Sequence, residues 1–126
     1  MHRLKNKTVL IVDDDERNTY ALISYLETME MDVVMARNGS EALALLRKSP
    51  KTDIILLDMM MPVMDGFETL AVLKENDKTK QIPVIAITAK AMKGDREKCI
   101  DAGAWDYVAK PVDMKLLIEK LTRWVL

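Results

Sequence analysis

The sequence predicts an α/β fold: a doubly wound, five-stranded parallel sheet in the order 2-1-3-4-5, with five helices covering its two faces. Three observations lead there. Ile54 to Leu57 is an unbroken aliphatic run, and a run without polar alternation reads as a strand buried on both faces. Shorter runs of the same kind alternate strictly with helical patterns along the chain, which implies parallel strands joined by right-handed crossovers. The length of 126 residues suits one domain, and this strand order fits that length.

The elements follow in order. Thr8 to Val12 reads as the first strand and ends in Asp13-Asp14-Asp15. Glu16 to Glu30 has a helical pattern, with Leu22, Leu26 and Met29 on one face and Ile23 beside them. One helix cap needs one Asp; three in a row repel one another, so capping does not account for all of them. Asp32 to Ala36 is a second strand, nearer an edge. Asn38-Gly39 is a turn, Ser40 is the expected N-cap of Glu41 to Lys48, and Pro50 ends that helix. The third strand runs into Asp58 and is stopped by Pro62. Asp65-Gly66 turns into a third helix, with Phe67, Leu70 and Leu73 spaced for its buried face. Ile82 to Ile87 is the fourth strand, ending in Thr88. After a loop from Lys90 to Gly94, Asp95 to Ala102 is a short, polar helix closed by Gly103. Trp105 to Ala109 is the fifth strand, ending in Lys110-Pro111. Asp113 caps the last helix, whose apolar stripe is Met114, Leu117, Ile118, Leu121 and Val125. Residues 1–126 read as a single domain, with residues 1–6 as a tail.

Composition narrows the function. The hydrophobic fraction of 49% argues against disorder. A formal net charge of −1 gives no electrostatic footprint for nucleic acid or an anionic membrane. The single cysteine, Cys99, rules out an internal disulfide and suits a reducing, cytoplasmic setting. No apolar run approaches the ~20 residues of a membrane span, and no signal-peptide pattern opens the chain. The Met59 to Met61 cluster reads as soft packing. His2 reads as a surface residue of the tail, Cys99 as a small packed residue, and Trp105 and Trp124 as packing or partner surface.

The polar residues at the strand ends carry the chemistry. Asp13 and Asp14 follow strand one, Asp58 ends strand three, Thr88 follows strand four and Lys110 follows strand five. All fall at one edge of the sheet, where open α/β sheets bind ligands. Neighbouring strands lie ~4.8 Å apart, so the set fits within roughly 15 Å. Three carboxylates so close repel unless a cation joins them. Hard oxygen donors without His or Cys select Mg²⁺, Mn²⁺ or Ca²⁺. A lysine and a hydroxyl opposite a metal-bound carboxylate form a cradle for a dianion. The chemistry suggested is phosphoryl transfer onto Asp58, with the metal and Lys110 offsetting charge on the transferred oxygens.

With these residues in place, the chain resembles a response-regulator receiver domain of two-component signalling, of flavodoxin-like fold. The matching motifs are VDDDERN at Val12 to Asn18, LLDMMMPVMDG at Leu56 to Gly66, and ITAKAMKGDREKCIDAGAWDYVAKPVD at Ile87 to Asp113. The resemblance covers the chain from about Lys7 onward and implies that Asp58 is the phosphoacceptor. It implies Mg²⁺ (or Mn²⁺) bound directly by Asp14 and Asp58, through water by Asp13, and by the backbone carbonyl of Met60. Thr88 and Lys110 would hold phosphoryl oxygens, Tyr107 would be the switch aromatic, and the Lys110–Pro111 bond would be cis. Met60 and Lys90, at the rim, would tune hydrolysis. The implied partner is a histidine kinase or a histidine phosphotransfer domain, with a face of helix 4, strand 5 and helix 5 that changes shape and through which two copies could pair. No direct nucleic-acid or membrane contact is implied. The third motif is most similar to receivers of hybrid sensor histidine kinases; in such a parent the full-length protein would be a kinase, while this domain is a phosphoacceptor that assists its own phosphorylation and slow dephosphorylation.

Other classes fit less well. A flavodoxin-like FMN carrier needs a hydroxyl- and glycine-rich loop after strand one, where this chain has DDDER. A phosphatase of aspartyl-phosphate type wants a second Asp two residues after the nucleophile, where this chain has Met60. A pseudo-receiver that only docks proteins would not need the intact set Asp13, Asp14, Asp58, Thr88 and Lys110.

Overall fold

A computed structural model describes residues 4–48, 51–61, 64–89 and 94–125. His2, Pro50, Pro62 and Lys90 lie outside the described residues. Five strands alternate with five helices: β1 (Thr8–Val12), α1 (Glu16–Thr28), β2 (Asp32–Ala36), α2 (Gly39–Lys48), β3 (Ile54–Asp58), α3 (Gly66–Glu75), β4 (Val84–Thr88), α4 (Asp95–Ala102), β5 (Asp106–Ala109) and α5 (Met114–Trp124). All four strand pairings are parallel, and the order is β2-β1-β3-β4-β5. β2 is therefore an edge strand, as its shorter apolar run suggested.

Period-two side-chain alternation divides each strand between two cores. Leu10, Val12, Ile55, Leu57 and Ala86 join the cluster under α2, α3 and α4. Val9, Ile11, Ile54, Leu56 and Ile87 join Leu22 and Leu26 of α1 and Leu117 and Leu121 of α5 on the other face. Every residue of β3 and β4 is buried, so these strands anchor the sheet. Each fully buried Val, Ile or Leu contributes roughly 1.5–3 kcal/mol before chain entropy is set against it.

Several boundaries differ from the sequence reading, each for a local reason. α2 begins at Gly39, and its cap is Asn38, whose Oδ1 accepts the Glu41 N–H at 2.9 Å. Ser40 lies inside the first turn instead of capping it. β4 starts at Val84 because Ile82 closes a turn onto Thr79 and Pro83 has no N–H to give the ladder. β5 starts at Asp106, although the Trp105 N–H still reaches the Val84 carbonyl at 2.8 Å. α1 stops at Thr28, where Glu30 takes a positive φ of 62° and the chain turns into β2. On α3 the buried residues are Gly66, Thr69, Leu70 and Leu73, whereas Phe67 is 39% exposed. Leu4, read as part of a tail, is completely buried in the α1–α5 core, and Asn6 N–H bonds the Glu30 carbonyl.

Caps and glycines fix the remaining joints. Asp65 and Asp113 cap α3 and α5 through their side chains. Gly103, at φ 119°, closes α4 with its N–H on Ile100 O and that of Ala104 on Cys99 O. A Cβ on Gly66 would lie 2.6 Å from the Met59 Cα, so only glycine lets α3 start against the end of β3.

One polar cluster ties β5 to α5. Asp106 is buried, and its Oδ1 accepts from Lys120 Nζ at 2.7 Å and from the Tyr107 N–H at 2.8 Å. Its Oδ2 accepts from Trp124 Nε1 at 2.8 Å. The Trp124 ring meets Trp105 edge-to-face, with centroids 5.5 Å apart. Burial alone would raise the Asp106 carboxyl. The hydrogen bonds from Lys120, Trp124 and the Tyr107 N–H outweigh burial and hold it below its ordinary value of 3.8. A depressed carboxyl contributes stability that is present in full above the unfolded value and is lost as pH falls through the folded one. Asp106→Asn should cost about 1–3 kcal/mol in urea unfolding at pH 7. The gap between wild type and variant should shrink as the pH falls below 4; a gap that stays constant there would rule out the carboxylate as its source.

Candidate functional site: a carboxylate cluster at the sheet edge

The parallel register brings the ends of β1, β3, β4 and β5 to one edge. Val12 pairs with Leu57, Asp58 with Ile87, and Thr88 with Ala109. Asp58 and Thr88, the last residues of β3 and β4, and Asp13 and Lys110, the residues just after β1 and β5, therefore fall together at this edge. Asp13 extends β1 with its N–H on the Ala36 carbonyl, and Lys110 extends β5 with its N–H on the Thr88 carbonyl.

Asp13, Asp14 and Asp58 come together: each offers a carboxylate oxygen, and the three atoms lie within 4.8 Å of one another. Asp13 and Asp58 are buried and Asp14 is exposed. Lys110 Nζ lies between the two buried groups, 3.4 Å from Asp13 Oδ2 and 3.5 Å from Asp58 Oδ2. The other oxygens are oriented by the backbone. Asp13 Oδ1 accepts the Asp15 N–H at 2.8 Å, and Asp58 Oδ1 accepts the Met60 N–H at 2.9 Å. Thr88 is buried at the same edge, Met60 is half-exposed, and Tyr107 is half-buried against the α4-side core. The Lys110–Pro111 peptide bond is cis, as the resemblance implied.

The electrostatics are strained in a specific direction. Burial first, and then repulsion from Asp58, hold the Asp13 carboxyl above its ordinary value, against the pull of the Asp15 N–H and Lys110. Burial alone would lower Lys110, but attraction to Asp13 and then Asp58 leaves it raised. So the lysine is a fixed cation, and it does not relieve the crowding completely. Three hard oxygen donors, with no His or Cys among them, in a pocket that still favours added positive charge, fit a divalent cation such as Mg²⁺.

Two cavities flank the cluster. A groove of about 460 Å³ runs from Asp13 and Lys110 past Ala21 and Leu22 of α1 to Val112 and Met114. Its rim carries Arg17. The sequence alone does not reveal the groove, because its walls come from residues 13–22, 87 and 110–114, which are distant along the chain. A smaller cavity of about 130 Å³ lies between α3 and α4, with Met60, Phe67, Thr88 and Cys99 among its walls. Burial pushes the Cys99 thiol up, which suits a packed and unreactive side chain. No helix among the described residues is long and apolar enough to cross a membrane.

Comparison with known proteins agrees with this geometry. A family model described as the response regulator receiver domain matches residues 9–122. The polar-differentiation response regulator DivK of Brucella anthropi is 38% identical over 119 residues, 94% of this chain and 96% of its own. The receiver domain of the sensor histidine kinase PA1611 from Pseudomonas aeruginosa, solved with a magnesium ion coordinated in its active site cleft, is similar at TM-score 0.87 and 32% identity. That likeness covers 95% of this chain and 98% of the other. A chain from the co-crystal structure of the Saccharomyces cerevisiae histidine phosphotransfer protein Ypd1 with the receiver domain of the response regulator Ssk1 is similar at TM-score 0.88 and 27% identity, over 97% and 90% of the two chains. The chain belongs to the response-regulator receiver-domain family, the signalling modules of two-component systems, and carries that family's acidic pocket at the edge of its sheet.

Proposed function

We propose that this domain accepts a phosphoryl group on Asp58 from a phosphohistidine of a histidine kinase or a histidine phosphotransfer domain. The single observation that carries the reading is the Lys110 ammonium set between Asp13 and Asp58 beside a third carboxylate. In the transfer, the P–N bond to the donor imidazole breaks as a P–O bond to the Asp58 carboxylate forms, and the imidazole keeps the electron pair. Lys110, already within ion-pair distance of Asp58, would neutralise an oxygen of the arriving group. Thr88, at the end of the neighbouring strand, would donate its hydroxyl to another. Asp13, Asp14, Asp58 and the carbonyl of Met60 would hold Mg²⁺, or Mn²⁺ in its place. When bound, that cation supplies positive charge to the transferred oxygens. The N–H of Met60 on Asp58 Oδ1 keeps the carboxylate in one rotamer, ready for attack.

The groove between α1 and the segment after β5 opens onto Asp13 and Lys110 and has apolar walls. We assign the histidine-bearing partner to it, and the complex of Ypd1 with the Ssk1 receiver supports a partner of that class. A cytoplasmic setting and a role as a single module without nucleic-acid or membrane contact of its own belong to the same reading. So does pairing of two copies through α4, β5 and α5, where Ile100 and Leu116 are exposed.

The chemistry is tested with acetyl phosphate and Mg²⁺. The labelled product should be labile to base and hydroxylamine and absent from Asp58→Asn. Incorporation that survives that substitution, or that ignores a chelator, would refute the assignment; a docking module without phosphate chemistry would take up no label at all.

The output is tested separately. Thr88 hydrogen-bonding a phosphoryl oxygen would vacate space that the Tyr107 ring fills, altering the face of α4, β5 and α5. A phosphoryl group biases this equilibrium only through its differential contacts, so the coupling should be ~1–3 kcal/mol. Thr88→Ala should keep phosphorylation, slowed, and lose most of the NMR shift change of residues 95–110 with beryllofluoride. Equal changes in wild type and variant would mean that the signal leaves Asp58 by another route.

A further inference from the structure

Tyr107 sits on β5 with its two flanking residues turned to the opposite face. Its ring packs partly against the core under α4. Val108 belongs to the core under α5, and Asp106 bonds Lys120 and Trp124 of α5. Among the described residues β5 is an edge strand, paired only with β4, and an edge leaves main-chain groups to be satisfied by other means. Here side chains take both polar groups of Tyr107. Its N–H donates to Asp106 Oδ1 at 2.8 Å, and its carbonyl accepts from Lys120 Nζ at 2.7 Å. The same ammonium donates to Asp106 Oδ1 at 2.7 Å.

We propose that Lys120 is a positioning residue of the switch: its ammonium holds the main chain of Tyr107 to α5, so that the signal from Asp58 passes through rotation of the Tyr107 ring over a fixed backbone. The inference rests on the phosphoacceptor reading above and names the group that makes its switch a side-chain event. β5 is then held on its inner side by the β4 ladder and on its outer side by α5. Lys120 holds it at Tyr107, and the Thr88 carbonyl holds it at Lys110, whose N–H lies 2.8 Å away. A strand held on both sides resists sliding, so a hydroxyl withdrawn at Thr88 is answered by a side chain before the backbone shifts. The Lys120 side chain is 20% exposed against 8% for Asp106, so the pair is shielded enough to persist while its neighbours on the other face move. An ammonium suits the task because it has three donors on a flexible stem and can serve a carboxylate and a carbonyl together.

The test uses the full chain, labelled for NMR and titrated with beryllofluoride and Mg²⁺. In wild type, the Lys120 Nζ signal should stay protected from exchange before and after titration while the Tyr107 ring resonances move. Loss of that Nζ protection on titration would overturn the proposal without any variant. Lys120→Met keeps the apolar stem and removes the donors. It should take up phosphate from acetyl phosphate within about twofold of wild type, as an alteration remote from the reacting atoms. The coupling between beryllofluoride and the Tyr107 ring position should meanwhile fall by about fivefold or more. Lys120→Arg, which keeps donors in place, should restore that coupling. A wild-type response in Lys120→Met, or an arginine variant as uncoupled as the methionine one, would reduce Lys120 to packing and overturn the proposal. Absence of any response in wild type would instead overturn the phosphoacceptor reading, and this inference with it.

Discussion

The site depends on the ion pairs that Lys110 makes with Asp13 and Asp58. Two carboxylates brought side by side under a protein surface repel by an amount that depends on the medium between them: about 4 kcal/mol for unit charges ~4 Å apart at an effective dielectric of 20. One ammonium 3.4 and 3.5 Å from them offsets much of that cost. It does not offset all of it, because Asp14 adds a third carboxylate to the same few ångströms; burial first, and then Asp58, also keep Asp13 harder to ionise than a free aspartate. Three carboxylates against one ammonium leave two negative charges in excess, the deficit that a divalent cation would fill. Such a residual field would favour a divalent cation, the charge that the proposed phosphoryl transfer calls for. The repulsion among these carboxylates is what a bound cation would relieve.

The parallel sheet makes such an arrangement possible at all. In an antiparallel sheet the ends of neighbouring strands point in opposite directions. In this one every strand ends at the same edge, and the register sets Asp58 beside Ile87 and Thr88 beside Ala109. The interior aliphatic residues that bury β3 and β4 completely are therefore what hold the polar ends in place. A slip of one residue would turn each side chain to the other face, moving Asp58 away from Lys110 and breaking both cores together. Stability and chemistry thus select the same register.

This coupling explains why the sequence was so legible in some places and not in others. β1, β2 and β3 were readable to the residue because their short apolar runs are bounded by polar residues, and in β1 and β3 an acid marks the strand end. The three carboxylates, Thr88 and Lys110 could be placed at one edge for the same reason. What could not be read depends on contacts between distant residues or on competition between equivalent neighbours. Asn38 and Ser40 are both good caps, and only the three-dimensional turn decided for Asn38. Phe67 fits the apolar spacing of α3, but Thr69 sits on the buried side instead, with its hydroxyl bonded to the Asp65 carbonyl. Leu4 stands among polar and basic residues and is buried all the same. Lys120 looks like any solvated lysine on the polar side of α5. Its partners Asp106 and Tyr107 lie fourteen and thirteen residues away, and no local pattern links them.

The two helices beside β5 are anchored unequally, and this asymmetry gives the edge a direction. α5 buries Leu117 and Leu121, places Trp124 on Asp106, and reaches the main chain of β5 through Lys120. α4 buries one side chain, Cys99, and is closed by a left-handed glycine at its end. Its start, Gly94, also takes a positive φ, of 101°, and supplies no side-chain cap. Regions with few buried contacts and weak caps open at low free-energy cost, whereas well-packed elements move only with the whole domain. A perturbation arriving at Thr88 would meet α5 as the better-anchored wall and α4 as the less buried element beside Tyr107. On the proposed function, a displacement that starts from Asp58 would be directed toward α4.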